Sequence, residues 1–335
     1  MVYWAAEIEP MSDRIRILNV EPDGFSSRAR SILEQVGELT EVNLSRSELL
    51  ARLADYEVLI VRFRHKIDRA MIDAGRRLKV IVTAATGVDH IDTDYATARG
   101  IEVLSLRGEY EFLESVSASA EHSWALLLAL MRRIPQAFAS VRSGEWDRDR
   151  FRGHDLCDKR LAILGLGRVG RKVAAYGRAF GMHVAAYDPN AQCWVPGVER
   201  RNSIADLFGG RDVISIHVSL IPDTIKLVRR EHLSLLSSGS VLINTARGEV
   251  VDEAALLESL EAGHLAGAAV DVISGENTNG GVAENRLIAY ARAHDNLLIT
   301  PHIGGATYES MAKTEVFMAS KLARFVKAKM SVANI

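Results

Sequence analysis

One stretch constrains the fold of this chain more than any other: Leu161 to Gly170, followed by a helical run and then Asp188. Leu161 to Leu164 is an apolar strand, and Gly165, Gly167 and Gly170 follow it. Glycines at that spacing permit a tight turn, close approach of backbone to a pyrophosphate, and close packing of helix on strand. The helix amides that begin there attract phosphate. The glycine string by itself also fits an ordinary turn. Its surroundings narrow the reading, because the helix Arg168 to Phe180 stops at Gly181 and the next strand, His183 to Tyr187, ends in Asp188, 18 residues after Gly170. A carboxylate there can accept both ribose hydroxyls. Asp188 would repel a 2′-phosphate, and Pro189 and Asn190 follow it with no arginine, so the expected cofactor is NAD and NADP is disfavoured.

The chain has 335 residues, enough for about two domains, and 48% of them are hydrophobic, which gives each domain material for a core. With 41 basic against 43 acidic residues the formal charge is -2, so no overall field gathers nucleic acid or an anionic membrane. The expected partners are small molecules or protein. Cys157 and Cys193 form no metal-like spacing with each other or with histidine, which fits a reducing cytoplasm and implies no metal site. No apolar run approaches the roughly 18 residues of a membrane span, and Met1-Val-Tyr-Trp lacks the basic and then apolar pattern of an export signal. Met11 is an alternative start.

Strands and helices alternate. Ile15 to Val20, Val58 to Val61 and Lys79 to Val82 read as strands, and Ser27 to Val36 as a helix. Ser45-Arg-Ser-Glu48 is a capping box opening a helix through about Leu53, while Gly75 and Gly100 close others. This predicts a parallel, doubly wound first unit. Glu121 to Met131 reads as a buried helix leading to the second unit, or simply as core. The alternation then resumes with strands at Leu161, His183, Val213, Val241, Ala268 and Leu297, and the stretch from Gly144 to Asp158 reads as a linker.

Three segments of the second unit place polar groups just past predicted strands: Asn244-Thr-Ala-Arg247-Gly248, Val270-Asp271 running to Glu276, and Thr300-Pro-His302-Ile-Gly-Gly305. Ligands of open α/β sheets sit at such strand ends. A basic residue, an acid and a histidine converging beside a nicotinamide suit hydride transfer at a carbon bearing a hydroxyl. His302 would exchange the hydroxyl proton, Glu276 would orient the imidazole and favour its charged form, and Arg247 would grip a carboxylate in a bidentate fork. Taken singly, each also reads as a surface charge, a loop acid or a turn residue.

Together these motifs resemble the D-isomer-specific 2-hydroxyacid dehydrogenases, and the chain is similar to the phosphoglycerate dehydrogenase-like branch over roughly residues 55 to 315. The resemblance rests on the glycine turn with Asp188, on Asn244 to Gly248, on the Val-Asp-Val segment at 270 to 272 with Glu276, and on Thr300 to Thr307. It implies an NAD-dependent oxidoreductase interconverting a D-2-hydroxyacid and its 2-oxoacid, with Arg247, Glu276 and His302 as the catalytic triad. It implies cofactor contacts at Gly165, Gly167, Arg168, Val169, Gly170, Asp188, His217, Ser219, Thr245, Ala246, Arg247, Asp271, His302 and Gly305, with Asp271 facing the nicotinamide carboxamide. Thr83 to Asp92 resembles the loop whose amides hold the substrate carboxylate, which makes Ala85, Thr86, Gly87 and Val88 substrate candidates, with Arg62 and Arg247 beside them. His90 in that segment reads as structural. The implied fold class is α/β with two doubly wound parallel-sheet domains: a Rossmann cofactor domain, 119–307, inserted into a flavodoxin-like substrate domain made of 1–118 and 308–335, with a cleft that closes over the ligands. A homodimer is implied, with the helix near Glu121 in its interface.

Several features depart from the family pattern. Asn277 follows the catalytic acid where proline is usual, and Ser219 replaces a proline bordering the adenine pocket. Leu106 to Ser115 is longer than the usual connection and either brings Tyr110 and Phe112 toward the cleft or packs them as core. Arg62, Arg64 and Lys66 alternate along an extended segment and so share one face, either reading an anion or forming a solvated edge. The rival from another class is an NAD(H)-sensing protein of the corepressor type without significant turnover. Oxidation of formate or phosphite is a second rival, and Glu276 argues against the formate version, whose enzymes carry glutamine there.

Overall fold

The computed structural model describes residues 14–191, 194–276 and 282–333. Met11, Cys193 and the stretch from Asn277 to Gly281 lie outside the described residues. The chain divides into two compact units, one reaching to Gly108 and resuming at Met311, the other running from Glu109 to Ser310.

The first unit contains a five-stranded sheet of β1 (Ile15–Asn19), β2 (Gly37–Glu41), β3 (Val58–Val61), β4 (Val80–Thr83) and β5 (Glu102–Leu104). All pairs are parallel and the order is β2-β1-β3-β4-β5, the flavodoxin-like arrangement whose switch point lies between β1 and β3. Every residue of β3 and β4 is buried, as expected for central strands covered on both faces. The helix Ser27–Val36 is capped by the Ser26 side chain and buries Ala29 and Leu33, and the Ser45–Glu48 capping box opens the helix Arg46–Arg52.

β2 went unread in the sequence because Gly-Glu-Leu-Thr-Glu is an edge strand with little apolar pattern, and Gly37 ends one element while starting the next. A Cβ on Gly37 would run into the carbonyl of Ile15, its partner in the ladder. The shared face of Arg62, Arg64 and Lys66 does not form. β3 stops at Val61 and the chain bends over residues 63–65, because the buried Glu21 carboxylate draws in the amides of both Arg62 (2.8 Å) and Arg64 (3.3 Å).

The second unit contains a seven-stranded parallel sheet of β6 (Arg160–Leu164), β7 (His183–Tyr187), β8 (Glu199–Arg200), β9 (Val213–Ile216), β10 (Ser240–Asn244), β11 (Leu265–Val270) and β12 (Leu297–Ile299). Its order, β12-β11-β10-β9-β6-β7-β8, is the doubly wound Rossmann order with a switch point between β6 and β9. Strand residues alternate between two cores: Ala162, Leu164, Ile214, Ile216 and Leu242 pack on one side, and Leu161, Ile163, Val213, Val241 and Ile243 on the other.

The helix Ala118–Met131 belongs to this unit and buries Ala120, Trp124, Leu126 and Leu127 in the second of those cores, so little of it is surface. The supposed linker also lies inside the unit. His154 donates to the Met131 carbonyl (2.9 Å), and Leu156 enters the core. The 106–115 segment forms a short helix, Tyr110–Glu114, with Leu113 buried and Tyr110 78% exposed, which excludes the core reading for Tyr110.

Phe208 is fully buried in the first of the two cores, so Phe208→Ala should cost about 3–5 kcal/mol, read as a lower urea midpoint at unchanged slope.

Candidate active site

The glycine turn sits at the switch point of the seven-stranded sheet. Gly165 adopts φ +92°, and a Cβ there would press on the His217 backbone at 2.9 Å, so the turn passes against the end of β9 with no room for a side chain. A Cβ on Gly170 would strike the Gly165 carbonyl, which sets how closely the helix Arg168–Ala179 lies on β6. A Cβ on Gly167 would meet no protein atom within 4 Å, so the space beside it at the helix N-terminus is open. Asp188 accepts the amide of Leu166 on Oδ2 and that of Asn190 on Oδ1, each at 2.8 Å, and so ties the end of β7 to the turn. These features fit a pyrophosphate at the turn and a ribose at Asp188. The Arg168 guanidinium donates to the Val116 carbonyl (2.8 Å), while Glu114 pairs with Arg171. The Tyr110–Glu114 segment is therefore docked on the first turn of that helix.

His217 closes β9, with Nε2 2.8 Å from Ser215 Oγ. Burial pushes its ring down to about 3, so it stays neutral at ordinary pH. Ser219, two residues on, is exposed.

At the end of β10, the Asn244 side chain shapes the turn by accepting from the Ala246 amide (3.0 Å) and donating to the Arg247 carbonyl (2.9 Å). Arg247 is half-buried, and its Nη1 donates to the Ala246 carbonyl (2.8 Å). Thr245 Oγ1 lies 2.6 Å from Ser123 Oγ, which fixes its rotamer. Gly248 packs under the backbone of Ile273 and Ser274, where a Cβ would collide, so the loop after β10 and the loop after β11 hold each other.

The loop after β11 carries the acid. Its backbone is held by two carboxylates from the helical segments between β10 and β11: Ser274 donates to Glu253 (2.6 Å) and Gly275 to Glu249 (3.1 Å). Asn285 steadies Glu253 from the other side (3.1 Å). Glu276 so placed pairs directly with His302 Nδ1, and both side chains are largely shielded from solvent.

His302 is one of the few non-glycine residues with positive φ, +54°. Asp271 holds it there. The His302 amide donates to the Asp271 carbonyl (2.8 Å), while the Asp271 carboxylate accepts from Ile303 (2.9 Å), Gly304 (2.7 Å) and Thr300 Oγ1 (2.6 Å). His122 Nε2 stands 3.2 Å away. Burial pushes this carboxyl up, but the hydrogen bonds from His122, Thr300, Ile303 and Gly304 outweigh it and hold the pKa below the usual range. Asp271 thus has four protein partners of its own besides any role toward a cofactor. Gly305 lies at the next turn, where a Cβ would meet nothing within 4 Å.

The second unit therefore brings together Arg247, Glu276 and His302 on adjoining loops at the ends of β10, β11 and β12. Glu249, Glu253, Asn285, His122 and Ser123 were not read from the sequence as site residues. The polar run Glu121-His122-Ser123 ahead of the apolar stretch Trp124 to Met131 was the available signal.

In the first unit, Ala85 is buried, Thr86 exposed, and Gly87 and Val88 half-buried in the loop after β4. Arg62 pairs with Glu315 (2.5 Å), and His90 is buried against the Phe63 ring.

Residues 124–304 match the family model described as the D-isomer specific 2-hydroxyacid dehydrogenase NAD binding domain. The chain is 37% identical over 321 residues to a D-3-phosphoglycerate dehydrogenase of Methanocaldococcus jannaschii, covering 95% of this chain and 58% of that one. A rat D-3-phosphoglycerate dehydrogenase is 37% identical over 312 residues, covering 92% and 56%. The chain thus spans a little over half the length of the curated relatives it matches. Among solved structures, the D-lactate dehydrogenase of Aquifex aeolicus complexed with NAD and lactic acid superposes with a TM-score of 0.81 at 28% identity, covering 94% of this chain and 96% of that one.

Because the unfolded His217 ring titrates near 6.5 and the folded one at about 3, the unfolded state binds more protons between those values. The stability from keeping this ring neutral is complete above pH 6.5 and is lost as pH falls toward 3. Urea unfolding at pH 7 and pH 5 should therefore show a loss that shrinks, by on the order of 1 kcal/mol, in His217→Asn. An unchanged pH difference in the variant would contradict this.

Proposed function

Because the chain belongs to the D-isomer specific 2-hydroxyacid dehydrogenase family and carries its NAD-binding domain, we propose that it is an NAD-dependent oxidoreductase interconverting a D-2-hydroxyacid and its 2-oxoacid. The observation that carries this reading is the Glu276–His302 pair on the loops after β11 and β12, next to the strand β10 whose following loop carries Arg247. The turn Gly165 to Gly170 and Asp188 would hold NAD, which would supply the hydride-transfer chemistry of the reaction. With Nδ1 turned to Glu276, His302 presents Nε2 as the nitrogen that takes the hydroxyl proton in oxidation and gives it back in reduction. Glu276 fixes the ring orientation. Arg247 clamps the substrate carboxylate and polarises the neighbouring carbonyl oxygen. Glu249 and Glu253 are positioning residues, since they hold the backbone that carries Glu276.

NAD is preferred over NADP because Asp188 occupies the end of β7 and its two oxygens already face backbone amides, an arrangement hostile to a 2′-phosphate. The names of similar proteins cover both phosphoglycerate and lactic acid, so the acid itself follows from neither. No helix among the described residues is long and apolar enough to cross a membrane, and we assign the protein to the cytoplasm. A homodimer is supported by an exposed apolar stripe on the helix Ile134–Arg142: Ile134, Phe138 and Val141 recur on one face, 51–63% exposed, with Trp146 at 89% just beyond.

The test is NADH oxidation with a panel of 2-oxoacids, followed by His302→Ala on the preferred one. Turnover should fall roughly 10²- to 10⁴-fold while NADH still binds. Wild-type turnover in the variant would remove His302 from its role, and NADH binding without reduction of any oxoacid would overturn the dehydrogenase reading.

The association state has its own check. Light scattering should give a dimer mass for the wild type and a monomer mass for Phe138→Glu, whereas a monomeric wild type at tens of micromolar would refute the dimer.

A further inference from the structure

Thr245, Asp271 and Thr300 are each the first residue past a strand, at the ends of β10, β11 and β12. Register places them level: Asn244 pairs with Val270 and Val270 with Ile299, so the next three positions form one rung across the three strand ends. The rung also belongs to one face of the sheet. Side chains alternate along a strand, and Val241, Ile243, Ala269 and Leu298, which lie two or four positions before the rung, pack in the core that holds the helix Ala118–Met131. That apolar face therefore ends in a polar rung, and the helix meets it with His122 and Ser123.

Each hydroxyl has one hydrogen to give. Thr300 Oγ1 gives its own to the Asp271 carboxylate (2.6 Å), so toward His122 Nε2 (3.0 Å) it accepts, and that ring nitrogen carries a proton. The same nitrogen stands 3.2 Å from Asp271 Oδ1. Ser123 Oγ gives its hydrogen to the Ser119 carbonyl (2.7 Å), so it accepts from Thr245 Oγ1 (2.6 Å). Two adjacent residues of one helical turn thus hold all three members of the rung. Arg247 lies two residues beyond Thr245, and His302 two beyond Thr300.

We infer that His122 and Ser123 are coupled positioning residues, which tie the loop carrying Arg247 and the loop carrying His302 to one helix and so set the substrate clamp and the acid/base group relative to each other. The inference rests on the 2-hydroxyacid reading above for the roles of those two side chains. Neither His122 nor Ser123 needs to touch a ligand. With either tie cut, the loops follow only the last bonds of the backbone ladder, from the Asp271 amide to the Asn244 carbonyl and from the Thr300 amide to the Val270 carbonyl. Misplacing a reacting group by about 1 Å costs on the order of 10²-fold in rate.

Four variants of the whole chain test this with NADH and the preferred 2-oxoacid: His122→Leu, His122→Gln, Ser123→Ala and the double variant of His122→Leu with Ser123→Ala. Leucine removes the donor, and glutamine returns an Nε2 donor at the same distance along the side chain. The kcat should fall roughly tenfold or more in His122→Leu and roughly threefold or more in Ser123→Ala, but less than about threefold in His122→Gln. In the double variant the loss should fall short of the product of the single losses by about threefold or more, because either cut already frees the loops. Wild-type kcat in His122→Leu, a glutamine variant no better than the leucine one, or single losses that multiply in full would each overturn the coupling.

Hydrogen exchange reads the same coupling without turnover. In His122→Leu the amides of Ile303 and Gly304, which donate to Asp271, and of Ala246, which donates to Asn244, should exchange about tenfold or more faster while those of β6 keep their wild-type rate. Ala246 lies on the loop that Ser123 holds, so its acceleration reports the coupling, and a wild-type rate there overturns it. If no oxoacid is reduced, the dehydrogenase reading falls, and the exchange rates still decide whether the two loops are held together.

Discussion

The Asp271 carboxylate is withdrawn from water at the end of β11, and a charge so placed has to be surrounded by donors or be neutralised. Here the donors are Thr300, Ile303, Gly304 and His122, drawn from β12, the turn after it and the helix Ala118–Met131. Satisfying this one buried group fixes the path of the chain through Pro301 and forces His302 into a left-handed conformation that a histidine rarely takes. His302, to which the proposed reaction gives the proton chemistry, is thus positioned by hydrogen bonds from its neighbours more than by its own contacts. Glu276 is delivered to it in the same manner, since Glu249 and Glu253 grip the loop backbone and Gly248 lets two loops touch. Carboxylates outside the Glu276–His302 pair thus hold the backbone on which that pair stands.

Much of this was legible because the elements that carry the site have strong local signatures. The strands Val58–Val61 and His183–Tyr187 and the helix Ser27–Val36 have the bounds their apolar patterns gave. The strand-end motifs lie where the doubly wound order requires. What stayed hidden depends on partners distant in sequence. Ser274 and Glu253 are 21 positions apart, and Asp271 and His122 far more, so no window of local pattern contains both members. The bend after Val61 was misread for a related reason: alternating Arg62, Arg64 and Lys66 look like an extended face until Glu21, 41 positions upstream of Arg62, collects two of their amides. Edge strands such as β2 and the two-residue β8 carry too little apolar pattern to announce themselves.

The two switch points answer different demands with the same material. At the glycine turn, the chain presents amides at a helix N-terminus, where a ligand's negative charge is favoured, and Asp188 is tied to the turn by the Leu166 and Asn190 amides. The loop after β1 also turns at a glycine, Gly24 with φ +68°, before the helix Ser27–Val36. The two carboxylates buried there are satisfied by the chain itself: Glu21 accepts the amides of Arg62 and Arg64, and Glu315 binds the Arg62 guanidinium and the Ser26 amide. One carboxylate therefore turns the chain at the end of β3, and the other holds the arginine side chain that follows in one direction, as buried charges require.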